Sequence, residues 1–517
     1  MRHALPLLLL LALGACGSHV PIEPSQALPA SSSAFGRQLL ALAAPHNGRS
    51  GFRLLPASNE AFAARAELTR AATRTLDLQY YIVNDGLSTR TLFDEVLSAA
   101  DRGVRVRLLL DDTTSDGRDE QIALLAAHPN IQVRVFNPLH LGRATGATRV
   151  IGRLLDLGQQ HRRMHNKLWL ADGSAAIVGG RNLGDEYFDA EPSLNFTDID
   201  MLAVGPIAEQ LAQSFDQYWN SALSKPIQQF LRWPPDQHDL AVARQRLRGY
   251  LARARTEQRE LYQRLLAYRH DPHLARWLDE LIWASGQALW DAPAKVLADG
   301  EPDPQLLLAT QLEPTLSAAQ RELILISAYF VPSEDARHYL TDLTDRGTHL
   351  RVLTNSLEAT DVPAVHGGYA PYRRELLEHG ARLFELRRQP GSDSSSGSGS
   401  APTSFSGSSN SSLHSKALII DRRYSFVGSL NVDPRSVLWN TEVGVLVDSP
   451  QLSEYLRDLA LEGMQPGRSY EVRLIDGEMR WLTEEHGRKR LLKREPGSAW
   501  RRFNAWFADI IGLERML

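Results

Sequence analysis

Three shortages in this 517-residue sequence each close off a class of function. There is one cysteine, Cys16, so the chain has no internal disulfide and no metal cluster built from thiolates. Neither charge is in surplus: 57 Lys and Arg against 61 Asp and Glu give a net charge of −4, which offers no electrostatic basis for nucleic acid as the main partner. Long apolar runs are also missing. The apolar stretch at the start covers only residues 4–15, too short for the ~20 residues of a bilayer-spanning helix. What remains, 43% apolar and 23% charged residues, is globular and long enough for two or three domains.

The short apolar stretch follows a basic Met1-Arg2-His3 and leads to Leu13-Gly14-Ala15-Cys16, the layout of a signal peptide. Its ending resembles the bacterial lipobox. That resemblance implies lipidation of Cys16, removal of residues 1–15, and a lipid-anchored protein facing the periplasm of a bacterial cell envelope. Gly17 and Ser18 follow the cysteine where an Asp would suggest retention in the inner membrane, so the outer membrane is the expected site. Residues 16–50, rich in Ser, Pro and Ala up to residue 36, read as a flexible tether. An ordinary secretory peptide with an incidental cysteine is the alternative.

The chain is organised around an 18-residue block and its copy, HNKLWLADGSAAIVGGRN at 165–182 and HSKALIIDRRYSFVGSLN at 414–431. Six positions are identical without a gap: His165/His414, Lys167/Lys416, Asp172/Asp421, Val178/Val427, Gly179/Gly428 and Asn182/Asn431. Copies that keep an imidazole, an ammonium, a carboxylate and an amide while their apolar residues drift have retained chemistry rather than packing. His and Lys at i and i+2 of an extended segment share a face, so ring and ammonium can reach one anion. The apolar run that follows reads as a buried strand. The glycine is expected to permit a tight turn, and the asparagine to add donors.

The surroundings repeat too. A helix at 59–73, a strand at 76–82, a helix at 89–102 stopped by Gly103 and a strand at 104–110 are echoed by a strand at 323–330, a helix at 333–346 stopped by Gly347 and a strand at 350–354. This alternation predicts an α/β fold. The expected domains are a first repeat at 51–206, a helical connector at 207–315, a second repeat at 316–450, and an extension at 451–517 with an amphipathic helix. That helix starts near Ser498 and carries Trp500, Phe503, Trp506, Phe507, Ile510 and Ile511 with Arg501 and Arg502. It suits either a core-facing position or a bilayer interface. Residues 390–412, nearly all Ser and Gly, read as a disordered insertion. Arg143, Arg149, Arg153, Arg162 and Arg163 face one acid, Asp156, and form either an anionic head-group site or a solvated loop.

The two H-x-K-x4-D blocks, each with G-x-x-N, match the signature of the phospholipase D superfamily. L-D-L-Q-Y-Y-I, R-R-M-H-N-K, V-G-G-R-N-L-G-D-E-Y-F and S-A-W-R-R-F further resemble bacterial cardiolipin synthases of the C type, over most of residues 50–517. The first block has Gly180-Arg181 where the second has Ser429-Leu430. The resemblance implies two α/β repeats, each a mixed sheet flanked by helices, related by a pseudo-twofold axis with the site between them. It implies His165 as nucleophile, His414 as acid and base, and Lys167, Lys416, Asn182 and Asn431 as donors to the phosphate oxygens. Asp172 and Asp421 belong to the catalytic motifs as their structural supports. Past the motifs lie further acids, Asp198 and Asp200 in T-D-I-D and Glu442 in N-T-E; aligning the strands that follow pairs Asp200 with Glu442, and the resemblance implies that each of these two orients an imidazole. No cofactor or metal is implied. The expected partners are phospholipids and a membrane surface, with no nucleic acid and with the site complete within one chain. The leading function is phosphatidyl transfer between phospholipids through a phospho-histidine. The alternatives are a phospholipase D releasing phosphatidic acid and a lipoprotein that binds phospholipids without turnover.

Overall fold

A computed structural model describes residues 22–112, 119–138, 161–191, 194–388 and 411–503. The lipobox with Cys16, the arginines Arg143, Arg149 and Arg153, most of the Ser/Gly insertion and the last fourteen residues lie outside the described residues.

The strands of the first half are β1 (Ser50–Leu55), β2 (Thr75–Tyr80), β3 (Arg105–Asp111), β4 (Ile131–Phe136), β5 (Leu168–Ala171), β6 (Ala175–Gly179), β7 (Asn195–Thr197), β8 (Asp200–Val204) and β9 (Ser224–Pro226). Those of the second half are β10 (Ile282–Trp290), β11 (Glu322–Ser327), β12 (His349–Asn355), β13 (Arg382–Leu386), β14 (Ser411–Leu413), β15 (Lys416–Ile420), β16 (Tyr424–Gly428), β17 (Val443–Asp448), β18 (Ser469–Ile475), β19 (Glu478–Glu485) and β20 (Arg488–Leu492). Eighteen of them form one mixed sheet. In each half three parallel strands (β4-β3-β2 or β13-β12-β11) run into three antiparallel ones (β5-β6-β8 or β15-β16-β17). The α/β double-repeat architecture expected from the sequence is therefore present.

The halves meet where β1 pairs antiparallel with β10, Gly51 opposite Trp283. β1 continues onto β8 and β10 onto β17, so β10 is the second copy's β1. Within the region expected as a helical connector, β10 thus takes in the second half the place that β1 has in the first. A period-2 signal was weak there because this strand's burial does not alternate. An apolar core crosses the seam, with Val178 and Met201 of one half packed in the same cluster as Val427 and Val445 of the other.

The described part of the tether also departs from expectation. Residues Ala34–Ala43 form a helix that buries Phe35 and Leu39 and is capped by Ser33, whose hydroxyl accepts from the Gly36 N–H at 2.7 Å. Upstream, the Ser25 carbonyl accepts from Arg107 Nη1 at 2.9 Å and the Ala27 N–H donates to Asp216 at 2.8 Å. A Ser/Pro/Ala composition predicts flexibility only when no partner surface satisfies the backbone, and here buried arginines do so. The helix stops at Gly103 and Gly347 hold, with φ of 91° and 93°, the left-handed conformation that favours glycine after a helix.

Candidate active site

Each histidine sits just before a buried strand, β5 or β15, and is clasped by the opposite half. The His165 N–H donates to the Thr441 carbonyl at 2.8 Å, and the His414 N–H to the Thr197 carbonyl at 2.8 Å. Next to those threonines are the acids. Glu442 lies 2.9 and 3.0 Å from His165 Nδ1, and Asp198 lies 2.8 Å from His414 Nδ1. The short parallel pair β7–β14 and the bridge Met164–Thr441 are the backbone forms of these two clasps. With Nδ1 engaged, Nε2 of each ring is the nitrogen left for a reacting atom.

The acid that holds His414 is therefore Asp198 and not Asp200. Asp200 Oδ2 is ion-paired with Arg65 at 2.9 Å and Arg181 at 3.3 Å, all three buried. Asp198 and Asp200 stand two residues apart in T-D-I-D, so periodicity cannot separate them. Strand register can. Gly179 faces Asp200 across β6–β8, whereas Gly428 faces Gly444 across β16–β17, so Asp200 corresponds to Gly444 and Asp198 to Glu442. The sequence signal was the dipeptide itself, Thr197-Asp198 against Thr441-Glu442.

The conserved glycines do a different job from the one expected. Neither Gly179 nor Gly428 has a positive φ. A Cβ on Gly179 would stand 2.1 Å from Asp200 Oδ1, and one on Gly428 2.5 Å from the Val443 carbonyl, so close approach is what demands them. The tight turns fall at Asp172 and Asp421, with φ of 51° and 53°, values that Asp tolerates. The Asp172 carboxylate accepts from the N–H groups of Thr73, Arg74 and Thr75 at 2.9, 2.8 and 2.8 Å. Asp421 accepts from those of Gln320, Arg321 and Glu322 at 3.0, 2.7 and 3.0 Å. Each thus fastens the start of β2 or β11 to its motif. Asp172→Ala would leave three backbone donors without their acceptor, at about 1–3 kcal/mol for each that stays dry. The expected result is a fall in thermal midpoint of several degrees, and an unchanged midpoint would deny Asp172 this anchoring role.

Both histidines line one pocket of about 250 Å³ together with Asn182, Asn431, Tyr81, Tyr187, Tyr329, Asp361, Asp433 and Arg435. Tyr81 stands edge-on to His165 and Tyr187 edge-on to His414, with ring centroids 5.1 and 5.3 Å apart. Lys167 Nζ donates to the His165 carbonyl at 2.6 Å, and Lys416 Nζ to that of His414, which places each ammonium beside its own histidine as the i, i+2 spacing requires. Asn182 Nδ2 donates to the Tyr187 hydroxyl at 2.8 Å. Asn431 is buried and its Oδ1 has no hydrogen-bond partner among the described residues. Ser429 donates to Glu442. In the first copy a side chain on Gly180 would meet Asp198 at 2.5 Å, which accounts for the glycine there. Asp198 is visible in the sequence as an acid beside Asp200, but Arg435 and the three tyrosines lie outside the repeated block, so the repeat does not single them out. Arg435 lines the pocket, its Nε buried and without a hydrogen-bond partner among the described residues. The two described arginines of the basic cluster are tied into the structure: Arg163 is buried beside Asn137 and Asp111, and Arg162 lies over Trp439 at 4.9 Å.

Burial dominates the electrostatics. It pushes both imidazoles down, His165 well below its usual value and His414 to about 4, with the neighbouring lysines pushing the same way. Burial also lowers both lysines. The two acids part company. Burial raises Glu442 to about 7, whereas for Asp198 burial, though the largest influence, is outweighed by His414, Lys416 and Arg181, and its carboxyl stays below the usual range. His414 therefore faces a firmly anionic partner and His165 does not. Among the described residues, the cluster His366, Glu385 and Glu495 has ligand types and spacing suited to a cation, but it already holds the Arg373 guanidinium at 3.0 and 2.6 Å from the two glutamates.

The chain matches the family described as "Cardiolipin synthase, PLD-like domain" over residues 65–219 and 312–461. Cardiolipin synthase C of Escherichia coli (strain K12) is 36% identical over 484 residues, 93% of this chain and 98% of that one. Cardiolipin synthase A of Pseudomonas syringae pv. syringae (strain B728a) is 23% identical over 423 residues, 81% of this chain and 70% of its own. Among solved structures, the phosphatidylserine synthase of Haemophilus influenzae Rd KW20 matches with a TM-score of 0.57 over 93% of this chain and 100% of that one, at 13% identity. That match is a likeness of fold.

Proposed function

This chain belongs to the phospholipase D-like cardiolipin synthase family, and from that premise we propose that it transfers a phosphatidyl group from one phospholipid to the hydroxyl of another, giving cardiolipin when the acceptor is phosphatidylglycerol. The observation that carries the reading is the crossed clasp: two imidazoles in one pocket, each oriented by an acid of the other half. A phosphodiester is already anionic and repels anionic nucleophiles, so a neutral imidazole suits the attack. Nε2 of His165 attacks phosphorus, the bond from phosphorus to the donor's head-group oxygen breaks, and His414 gives that oxygen its proton. In the second step His414 takes the proton of the acceptor hydroxyl, whose oxygen attacks phosphorus and breaks the bond to His165.

The order rests on the acids. Anionic Asp198 stabilises an imidazolium at His414, while Glu442, raised to about 7, gives His165 less of that support. His414, held low by burial and by Lys416, gains its proton most readily beside an anionic phosphodiester. Lys167, Lys416, Asn182 and Asn431 would donate to the non-bridging oxygens, whose charge grows in the transition state. Both motifs come from one chain, so the site calls on no second copy. We further place the protein on the periplasmic side of the envelope, lipid-anchored through Cys16 and with the outer membrane as its expected location.

Water can intercept the same intermediate, so the deciding experiment is product analysis of the purified protein with phosphatidylglycerol alone and mixed with a second phospholipid. Cardiolipin as the main product supports the transferase. Phosphatidic acid without cardiolipin makes the protein a hydrolase, and no product at all makes it a lipid-binding protein.

A further inference from the structure

Residues 488–503 form one of the basic segments of the chain. They hold seven lysines and arginines against one acid, Glu495, in a protein of net charge −4. The first of them form β20, the last strand of the sheet, where Arg488, Lys489, Arg490 and Leu491 are all exposed. Trp500 is 69% exposed and Phe503 48% exposed, their rings stacked at 5.8 Å. Edge strands often carry lysine to deter pairing with another chain, but that leaves the exposed aromatic pair beside the cations unexplained. The single acid is not part of this surface chemistry. Glu495 turns inward, 2.6 Å from His366 and 2.6 Å from Arg373.

Those inward contacts lead to the active site. Arg501 donates to the carbonyls of Leu357 and Thr360 at 3.1 and 2.7 Å. The next residues, Asp361, Val362 and Val365, line the pocket that holds both histidines, and His366, the partner of Glu495, follows them. The basic and aromatic segment is thus fastened to the back of the pocket wall.

We propose that residues 488–503 form a docking surface for an anionic phospholipid bilayer, which sets the pocket wall against the lipid. Cations within reach of a negatively charged leaflet each add attraction, and indole and phenyl rings partition into the interfacial layer. Phospholipid turnover, as proposed above, gives this docking its purpose, but the docking is measured without turnover. The two readings can therefore fail separately.

The test uses the full-length chain carrying Cys16→Ser, so that acylation cannot hold it to lipid, in sedimentation with vesicles of phosphatidylglycerol or of phosphatidylcholine. Preference for the phosphatidylglycerol vesicles, weakened by salt, is expected. Two further variants are made in that background: Trp500→Ser with Phe503→Ser, and Arg488→Gln, Lys489→Gln, Lys493→Gln and Arg494→Gln together. Each should weaken binding to phosphatidylglycerol vesicles at least tenfold, with an unchanged thermal midpoint and unchanged turnover of detergent-dispersed lipid. All six side chains are exposed, so folding is not at risk. Parent-like vesicle binding by either variant overturns the proposal. So does a parent protein that does not prefer phosphatidylglycerol, since the surface would then serve some other partner.

Discussion

His165→Ala is expected to lower turnover by roughly 10⁴-fold or more, the scale on which removal of a covalent nucleophile is felt, while leaving a folded protein. The replaced ring is buried, but its backbone N–H to the Thr441 carbonyl survives the substitution, so the clasp between the halves keeps its backbone part. The loss has to be complete for both products. If His165 forms the covalent bond to phosphorus, neither cardiolipin nor phosphatidic acid can be made without it. His414→Ala should fail differently. The first step then lacks only the proton for the leaving oxygen, so a donor with a good leaving group, such as a nitrophenyl phosphodiester, should still give a single burst. A burst from the His165 variant and none from the His414 variant would reverse the two roles. Substantial turnover by either variant on natural lipid, with a normal thermal midpoint, would remove that histidine from the mechanism.

The second large effect separates two aspartates that lie two residues apart. Asp198→Asn should fold and lose roughly 10²–10⁴-fold in turnover, because an amide neither stabilises an imidazolium nor enforces the tautomer. Hydrogen bonding and charge from Asp198 raise the His414 pKa against the pull of burial. Removing them lets that pKa fall further, so the protonated ring the first step requires is lost at a lower pH. The alkaline limb of kcat/KM should therefore move to lower pH. Asp200→Asn should do the reverse. It leaves the buried Arg65 and Arg181 without their carboxylate, a change that costs about 3–5 kcal/mol. A large drop in thermal midpoint is expected, with whatever protein remains folded showing an unmoved pH profile. A pH shift from Asp200→Asn together with a silent Asp198→Asn would restore the assignment that strand register displaced.

Much of this protein was legible before any coordinate. The repeated block announced itself because its polar residues stay in register while the apolar residues around them drift, and so His165 and His414, which share one pocket, and the lysines beside them could be singled out directly. The helix stops at Gly103 and Gly347, the flanking strands and the α/β class followed from local conformational preference, which acts over a few residues and leaves its mark in them. Tertiary structure alone decided what depends on pairing between distant segments. Whether Asp198 or Asp200 reaches an imidazole is a matter of register between β6 and β8, and both residues satisfy the same period. That each acid serves the histidine of the opposite half follows from the seam at β1–β10 and from the threonine carbonyls that cross it. The packing of residues 22–46 onto the first repeat was hidden for the same reason: their composition carries no order of its own, and the arginines that hold them lie about a hundred residues along the chain. A sequence records what each residue prefers locally, while hydrogen bonds and ion pairs between distant segments are settled only when the chain closes on itself.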